Sequence, residues 1–128
     1  MTSRPVADLL VTLAEPTRLR IMNCLSAAPL FVSDLSAILD QPDATVSAHM
    51  DVLESLGVVR THPVVPYLLY TLAPLPGTPE RLLRSVLDAM RSDPASQADR
   101  SAALDRSRSR FETRVRRGAG GAAVMNAS

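Results

Sequence analysis

The sequence predicts a mainly α-helical domain that carries one small β-hairpin. Hydrophobic residues make up 46% of the 128-residue chain, aromatic residues only 3%, and tryptophan is absent. A core built from Leu, Val, Ile, Ala and Met favours helices that pack through aliphatic stripes over a large sheet. The length is sufficient for a single hydrophobic core. A change from helical to strand-like patterning after Gly57 places the hairpin in the second half of the chain.

Two helices are predicted at the N-terminus. Apolar residues at spacings of three and four indicate an amphipathic helix over residues 3–14. A second helix is expected to begin at Pro16, because the missing N–H of proline costs nothing at the first helical position. It is expected to end near Ala28.

A short turn separates the third and fourth predicted helices. Ser33 and Asp34 are suited to cap the third helix. Residues 40–43 form the turn, and the fourth helix closes at Gly57, the usual residue for a left-handed C-cap.

Two strand-like segments follow Gly57. Residues 58–61 and 67–72 are rich in β-branched and aromatic residues, and a proline-containing stretch over 63–66 separates them. We expect the two segments to pair as a hairpin. Helices, a short turn, a further helix and a hairpin follow one another in the order of a winged helix-turn-helix.

Two more helices are predicted after the hairpin. A post-wing helix opens at residues 78–80, and the winged domain with this helix is expected to occupy residues 1–92. An Arg-rich helix is expected over residues 93–117. The small, polar residues of 118–128 predict a disordered tail.

The basic charge is concentrated in the C-terminal part of the chain. Residues 1–77 hold four Arg and seven acidic residues, a balance of −3, whereas residues 78–128 hold ten Arg and six acidic residues, a balance of +4. One interpretation of the Arg-rich helix is a basic arm that attracts DNA. The other is a solvated helix whose arginines alternate with Asp99, Asp105 and Glu112.

Three segments together resemble ArsR-type repressors. Residues 13–21 (LAEPTRLRI) are similar to the segment that opens the second helix in that family. Residues 45–50 (TVSAHM), with the following LESLGVV, are similar to its DNA-reading helix, and residues 70–72 (YTL) to the end of its wing. The resemblance covers roughly residues 5–73. It implies a transcriptional repressor that binds an inverted repeat in double-stranded DNA as a homodimer.

The resemblance also implies which residues contact DNA. The fourth helix would enter the major groove and the wing would lie along the flanking backbone. The expected contacts are Ala44, Thr45, Ser47, Ala48 and His49 on the helix, Arg60 at the wing, and Arg18 on the second helix, where an internal salt bridge is the alternative to a phosphate contact.

Acidic residues favour a different function for the same fold. Asp43, Asp51 and Glu54 add negative charge to a helix that would approach a polyanion, and residues 62–66 of the wing carry no Arg or Lys. The alternative hypothesis is therefore a protein-interaction module that has lost strong DNA binding.

Two apolar stripes are candidates for the dimer interface. They lie on the first and post-wing helices and are wider than a core of this size can cover. The alternative is that they pack on each other within one chain. The residues concerned are Val6, Leu9, Leu10, Leu13, Leu82, Leu83, Val86, Leu87 and Met90.

No metal or cofactor site is expected. Residues 30–35 (LFVSDL) align with the LCVCDL thiolate motif of the family, but Phe31 and Ser33 occupy both cysteine positions. The post-wing helix lacks the Asp and His pairs of the family's other metal site. The single cysteine, Cys24, is expected to be a buried apolar residue. An inducer, if there is one, would be a small molecule, a partner protein or a metal held in another way.

The sequence does not favour an enzyme or a membrane protein. It contains no Gly-rich phosphate loop and no Ser-His-Asp or Cys-His arrangement with motif support. No apolar run approaches the ~20 residues that span a bilayer. Without the pattern of a signal peptide at the N-terminus, a cytoplasmic location is expected.

Overall fold

The structure, a computed structural model, describes the backbone of residues 4–127 and the side chains of residues 4–110. Its elements follow one another as α1 (Pro5–Leu13), α2 (Pro16–Ala27), β1 (Leu30–Phe31), α3 (Val32–Leu39), α4 (Asp43–Leu56), β2 (Val59–Val64), β3 (Tyr67–Leu72), α5 (Gly77–Met90) and α6 (Pro94–Ala127). This order confirms the predicted winged helix-turn-helix, in which α3 and α4 form the helix pair and β2–β3 form the wing.

Local capping signals explain where α2 and α4 begin and end. The carboxylate of Glu15 accepts a hydrogen bond from the backbone N–H of Arg18 at 2.9 Å and caps α2, while Pro16 occupies the first helical position as predicted. Helix α4 ends at Gly57, whose φ of 83° lies in the left-handed region. Both boundaries follow from residue types within one helical turn.

The start of α3 differs from the prediction. Ser33 and Asp34 lie inside the helix, and Phe31 is the N-cap residue. The Asp34 carboxylate reaches back to accept a hydrogen bond from the backbone N–H of Phe31 at 2.9 Å. An acidic residue in the first turn can stabilise a helix in this way without being the cap, because it satisfies an N–H group that has no partner within the helix.

The sheet has one strand more than predicted. Strands β2 and β3 pair antiparallel, from Val59 opposite Leu72 to Val64 opposite Tyr67, which confirms the hairpin. Strand β1 pairs with the other edge of β3, so that β3 is central. A strand of two residues is too short to produce a recognisable alternation of apolar and polar positions.

The core is aliphatic, as the composition predicts. Ile21 from α2, Leu35 from α3 and Met50 from α4 are fully buried in it. Ala103 of α6 is equally inaccessible and belongs to the same cluster. Helix α6 therefore packs against the helices of the winged domain, mainly α2 and α3.

The C-terminal helix is longer than predicted. It continues past residue 117, through the segment for which the composition predicts disorder, to Ala127. None of the helices described has the length and apolar character needed to cross a membrane.

Candidate nucleic-acid interface

Helix α4 presents a face of small and polar side chains. Val46, Met50 and Leu53 point into the core. This orientation leaves Ala44, Thr45 and Ala48 exposed near the N-terminal end of the helix, with Ser47 half-buried beside them. The four predicted contact residues thus share one accessible surface, which we call the α4 face. Short side chains on this face would let the helix backbone approach a groove closely.

Two further predicted contacts, Arg18 and His49, bind each other. Arg18 Nε donates a hydrogen bond to His49 Nδ1 at 3.3 Å, and Arg18 Nη1 donates to the backbone oxygen of Thr12 at 3.4 Å. Because a guanidinium can only donate, His49 Nδ1 is the acceptor of this hydrogen bond. Glu15 completes the group, with Oε2 3.9 Å from His49 Nδ1. For Arg18, the structure therefore favours an internal role, although its partner is a histidine and not a carboxylate.

Arg60 lies on the wing, at some distance from its tip. It is exposed on β2 and pairs with Thr71 of β3, one position from the base of the hairpin. The tip itself is apolar, because Val65 and Tyr67 are 90% and 66% exposed. His62 hydrogen-bonds Thr71 through Nε2 at 3.0 Å. The only fixed positive charge of the wing is thus at its base.

Negative charge accompanies the α4 face. Asp43, Asp51 and Glu54 are all exposed on α4. Asp43 lies in the first turn, where a carboxylate interacts favourably with the helix dipole. The other two act on the hydroxyl of Tyr70, whose pKa is raised first by burial and then by Glu54 and Asp51. These charges are the main electrostatic obstacle to DNA binding on this helix.

Arginines of α6 are bound to the winged domain. Arg106 Nε donates to Asp34 Oδ1 at 2.9 Å, and Arg110 donates to the other oxygen of the same carboxylate. Only 5% of the Asp34 side chain is exposed. Arg110 also lies 4.8 Å from the centre of the Phe31 ring, a cation–π contact. We call this group the Asp34 cluster.

Neither interpretation of the Arg-rich helix, a basic arm for DNA or a solvated helix, includes this binding of its arginines to the winged domain. Within residues 94–110, Arg100, Arg106 and Arg110 are neither a free basic arm nor simply solvated. The sequence does contain a signal for the docking of α6 on the winged domain. Asp99, Ala103, Arg106 and Arg110 follow one another at spacings of four, three and four, which place them on one face of the helix. Arg114, Arg116 and Arg117 lie beyond the described side chains.

Residues 30–35, the segment aligned with the thiolate motif, form β1 and the start of α3. Phe31 ends β1 and packs edge-on against Tyr67 of the wing, with the ring centres 6.1 Å apart. Ser33 is exposed in the first turn of α3. Among the residues whose side chains are described, no group of three His, Cys, Asp or Glu is arranged to hold a metal ion.

Cys24 is buried, as predicted. Its Sγ lies 3.9 Å from the backbone oxygen of Asp99 on α6. Burial, with a further contribution from Asp99, raises the pKa of the thiol to about 12. The thiol is therefore protonated at neutral pH and a poor nucleophile.

The predicted dimer residues divide into buried, half-buried and exposed groups. Leu9, Leu13 and Leu83 are at most 6% exposed and belong to the core of the chain, so they do not offer surface to a partner. The half-buried residues are Val6, Leu82, Val86, Leu87 and Met90. Leu10 and the unpredicted Val11 are 49% and 73% exposed. Helices α1 and α5 also contact each other within the chain.

Comparison with known proteins finds a family that is similar to part of the chain. Residues 15–61, which include α2, α3 and α4, match the model of the arsR family of bacterial regulatory proteins. Over these residues, the winged helix-turn-helix domain of this chain is similar to the ArsR family. The match ends within β2, so the similarity rests on α2, α3 and α4, the last of which carries the α4 face.

Individual relatives show the same similarity. A transcriptional repressor SmtB homolog of Synechocystis is 32% identical over 71 residues, or 56% of this chain and 54% of the relative. A biofilm growth-associated repressor of Agrobacterium fabrum is 38% identical over 68 residues, or 53% and 58% of the two chains. The chain thus spans little more than half the length of these relatives.

A solved structure agrees with the fold. The transcriptional repressor BigR from Xylella fastidiosa superimposes with a TM-score of 0.58 at 25% identity. The superposition covers 68% of this chain and 83% of the BigR chain.

Proposed function

We propose that this ArsR-type chain is a transcriptional repressor that binds double-stranded DNA. The observation that carries the proposal is the exposed α4 face, which belongs to the helix that follows the turn in an ArsR-family domain. Two relatives of the same domain are named repressors. The proposed contact residues are Ala44, Thr45, Ser47 and Ala48, with Arg60 on a flanking phosphate.

The chemistry of these side chains suits a major groove. Thr45 and Ser47 carry hydroxyls that donate to or accept from base edges, while Ala44 and Ala48 suit contact with the methyl group of thymine. Arg18 and His49 would act indirectly by fixing α4 against α2 through their hydrogen bond. With few cations at the interface, affinity would depend on the close fit of the α4 face more than on phosphate contacts.

We further propose that the protein acts as a homodimer on an inverted repeat. Leu10 and Val11 of α1 expose apolar surface that the chain itself leaves uncovered. The half-buried residues of α5, such as Val86 and Met90, would extend this surface. A two-fold dimer pairs two α4 faces with two half-sites, which accounts for an inverted repeat.

A second candidate function has a specific observation in its favour. The acidic residues of α4 and the uncharged wing tip, with Val65 and Tyr67 exposed, suit a protein partner better than a phosphate backbone. In this case the winged domain would be an interaction module.

Binding of the protein to DNA from upstream of its own gene distinguishes the two functions. We expect specific binding that weakens as salt increases, with little binding to a random duplex. Thr45→Ala combined with Ser47→Ala should reduce affinity about tenfold or more, as each lost base contact costs roughly 1–3 kcal/mol. Ser55→Ala, an exposed serine near the other end of α4, is the matched control and should bind as the native protein does.

The opposite result would favour the interaction module. If neither duplex binds at low salt, or if both bind equally and the double variant has no effect, the α4 face does not read DNA.

A further inference from the structure

A cavity of about 410 Å³ opens where the end of the wing meets α5, α2 and α6. One wall is apolar and consists of Leu72, Ala73, Pro74, Leu83 and Leu87. Its volume lies in the range of small-molecule sites. The lining includes no residue of α4 and none of the wing tip, so the cavity is separate from the surfaces assigned to DNA above.

Most charges around the cavity are neutralised by partners on the same helix. Arg84 Nη2 lies 2.7 Å from Glu80 Oε1, and Arg91 Nε lies 3.3 Å from Asp88 Oδ1. Each pair joins one cation to one anion. These four residues therefore add little net charge to the cavity.

Arg100 of α6 is the exception. Its Nη1 donates to Asn23 Oδ1 at 2.9 Å and to the backbone oxygen of Met90 at 3.4 Å, and its Nη2 donates to the backbone oxygen of Arg91 at 3.2 Å. All three acceptors are neutral groups. Among the residues with described side chains, no carboxylate forms a salt bridge with Arg100, so the cavity wall carries one uncompensated positive charge.

The guanidinium of Arg100 is held in a fixed position. Asn23 is fully buried, and its Nδ2 donates to the backbone oxygen of Ser96 at 2.9 Å, which orients its amide oxygen toward Arg100. A cationic group that is fixed before a ligand arrives loses less entropy on binding.

Arg100 also has donors to spare. Its Nε has no acceptor within residues 4–110, and Nη2 uses one of its two hydrogens. Nε and Nη2 are the two atoms through which Arg20 holds the carboxylate of Asp99 in this same structure. A carboxylate is therefore the anion that suits the free side of Arg100.

We propose that this cavity binds a small amphipathic carboxylate. The carboxylate pairs with Arg100, and an aliphatic or aromatic body lies against Leu72, Leu83 and Leu87. The anionic group supplies the charge that the site lacks, and the body covers the apolar wall. The proposal concerns a ligand site and does not depend on DNA binding.

Isothermal titration of the full chain with hexanoate, octanoate and decanoate, without DNA and at neutral pH, tests the proposal. We expect saturable binding that strengthens as the aliphatic chain grows, and no binding of acetate, which lacks the apolar body. Octanamide, the neutral counterpart of octanoate, should bind about tenfold more weakly or worse, because a hydrogen bond between charged partners is lost.

Arg100→Gln should weaken octanoate binding by a similar factor. Arg108→Gln removes the same charge from an exposed position on the same helix and should leave binding unchanged. Because the comparison of octanoate with octanamide uses the native protein, it stands even if Arg100→Gln fails to fold. Equal binding of these two compounds, equal effects of the two variants, or no saturable binding of any carboxylate would overturn the proposal.

Discussion

Arg20 of α2 holds the carboxylate of Asp99 on α6 through two parallel hydrogen bonds, Nε to Oδ2 at 2.9 Å and Nη2 to Oδ1 at 3.1 Å. The hydrogen bond with Asp99 is also the main reason that the pKa of Arg20 is raised. Only 13% of the Asp99 side chain is exposed, compared with 42% for Arg20. The pair fastens α6 to the second helix of the winged domain.

Asp99→Asn should lower the free energy of unfolding by about 1–2 kcal/mol, since it removes the charge from a paired, largely buried carboxylate. Part of the loss is offset because Arg20 can turn to solvent. Urea denaturation provides the measurement, with Asp105→Asn, an exposed carboxylate on the same helix, as the control. Equal effects of the two variants would mean that the Arg20–Asp99 pair contributes nothing beyond surface charge.

Arg106→Gln should loosen α6 by weakening the Asp34 cluster. Arg106 is 44% exposed, so we expect a loss of about 1 kcal/mol and faster amide hydrogen exchange in α6 near residue 106. Arg108→Gln, two residues away and exposed, should change stability by less than about 0.5 kcal/mol. Unchanged exchange in the Arg106 variant would contradict the docking role of the Asp34 cluster.

Stability should decrease as the pH rises above the ordinary thiol range. Cys24 keeps its proton in the folded chain up to a pH of about 12, whereas an exposed thiol titrates near 9.0. Between these values the unfolded chain binds fewer protons, so the free energy of unfolding falls by up to about 1.4 kcal/mol for each pH unit. The raised pKa of Tyr70 acts in the same direction at the upper end of this range.

Urea denaturation at a series of pH values measures this slope. Cys24→Ala should flatten it between pH 9.0 and about 12, whatever the cost of the substitution itself. A parallel decrease in the variant and the native protein would show that Cys24 is not its source.

Val11→Glu should shift the protein toward the monomer. Val11 is 73% exposed on α1, so a charge is tolerated in the isolated chain but not in the proposed interface. Sedimentation equilibrium gives the dissociation constant, which we expect to rise by at least about tenfold. Val52→Glu changes another exposed valine, on α4, and should leave self-association unchanged. If the native protein is itself monomeric at micromolar concentration, the α1–α5 interface is wrong.

Most of the winged domain could be predicted because its signals are local. Pro16 and Gly57 mark helix ends through properties of single residues, and the buried positions of α4 repeat with the helical period. The hairpin follows from strand-forming residues on both sides of a proline-containing turn. Strand β1, in contrast, exists because Leu30 and Phe31 lie beside β3, and nothing in two residues indicates that neighbour.

The exposed residues of the candidate site could be predicted, but its long-range contacts could not. Periodicity indicates that Ala44, Thr45 and Ala48 face outward, because the buried side of the helix is evident in the sequence. The hydrogen bond between Arg18 and His49 joins residues 31 positions apart, and the Asp34 cluster joins residues more than 70 apart. A local pattern can show which residues of α6 share a face, but the partners of these residues depend on how the helices cross, which no local pattern encodes.

Because Ala103 belongs to the core and Asp99 binds Arg20 across 79 positions, the winged domain cannot complete its core before α6 has been synthesised. The helix-turn-helix emerges from the ribosome first, with the side of α2 that carries Asn23 and Cys24 still open to water. Asn23 and Cys24 are buried only when residues 96–103 of α6 pack against that side of α2. Until then the nascent chain exposes an apolar side of α2, a surface through which partly folded chains can aggregate.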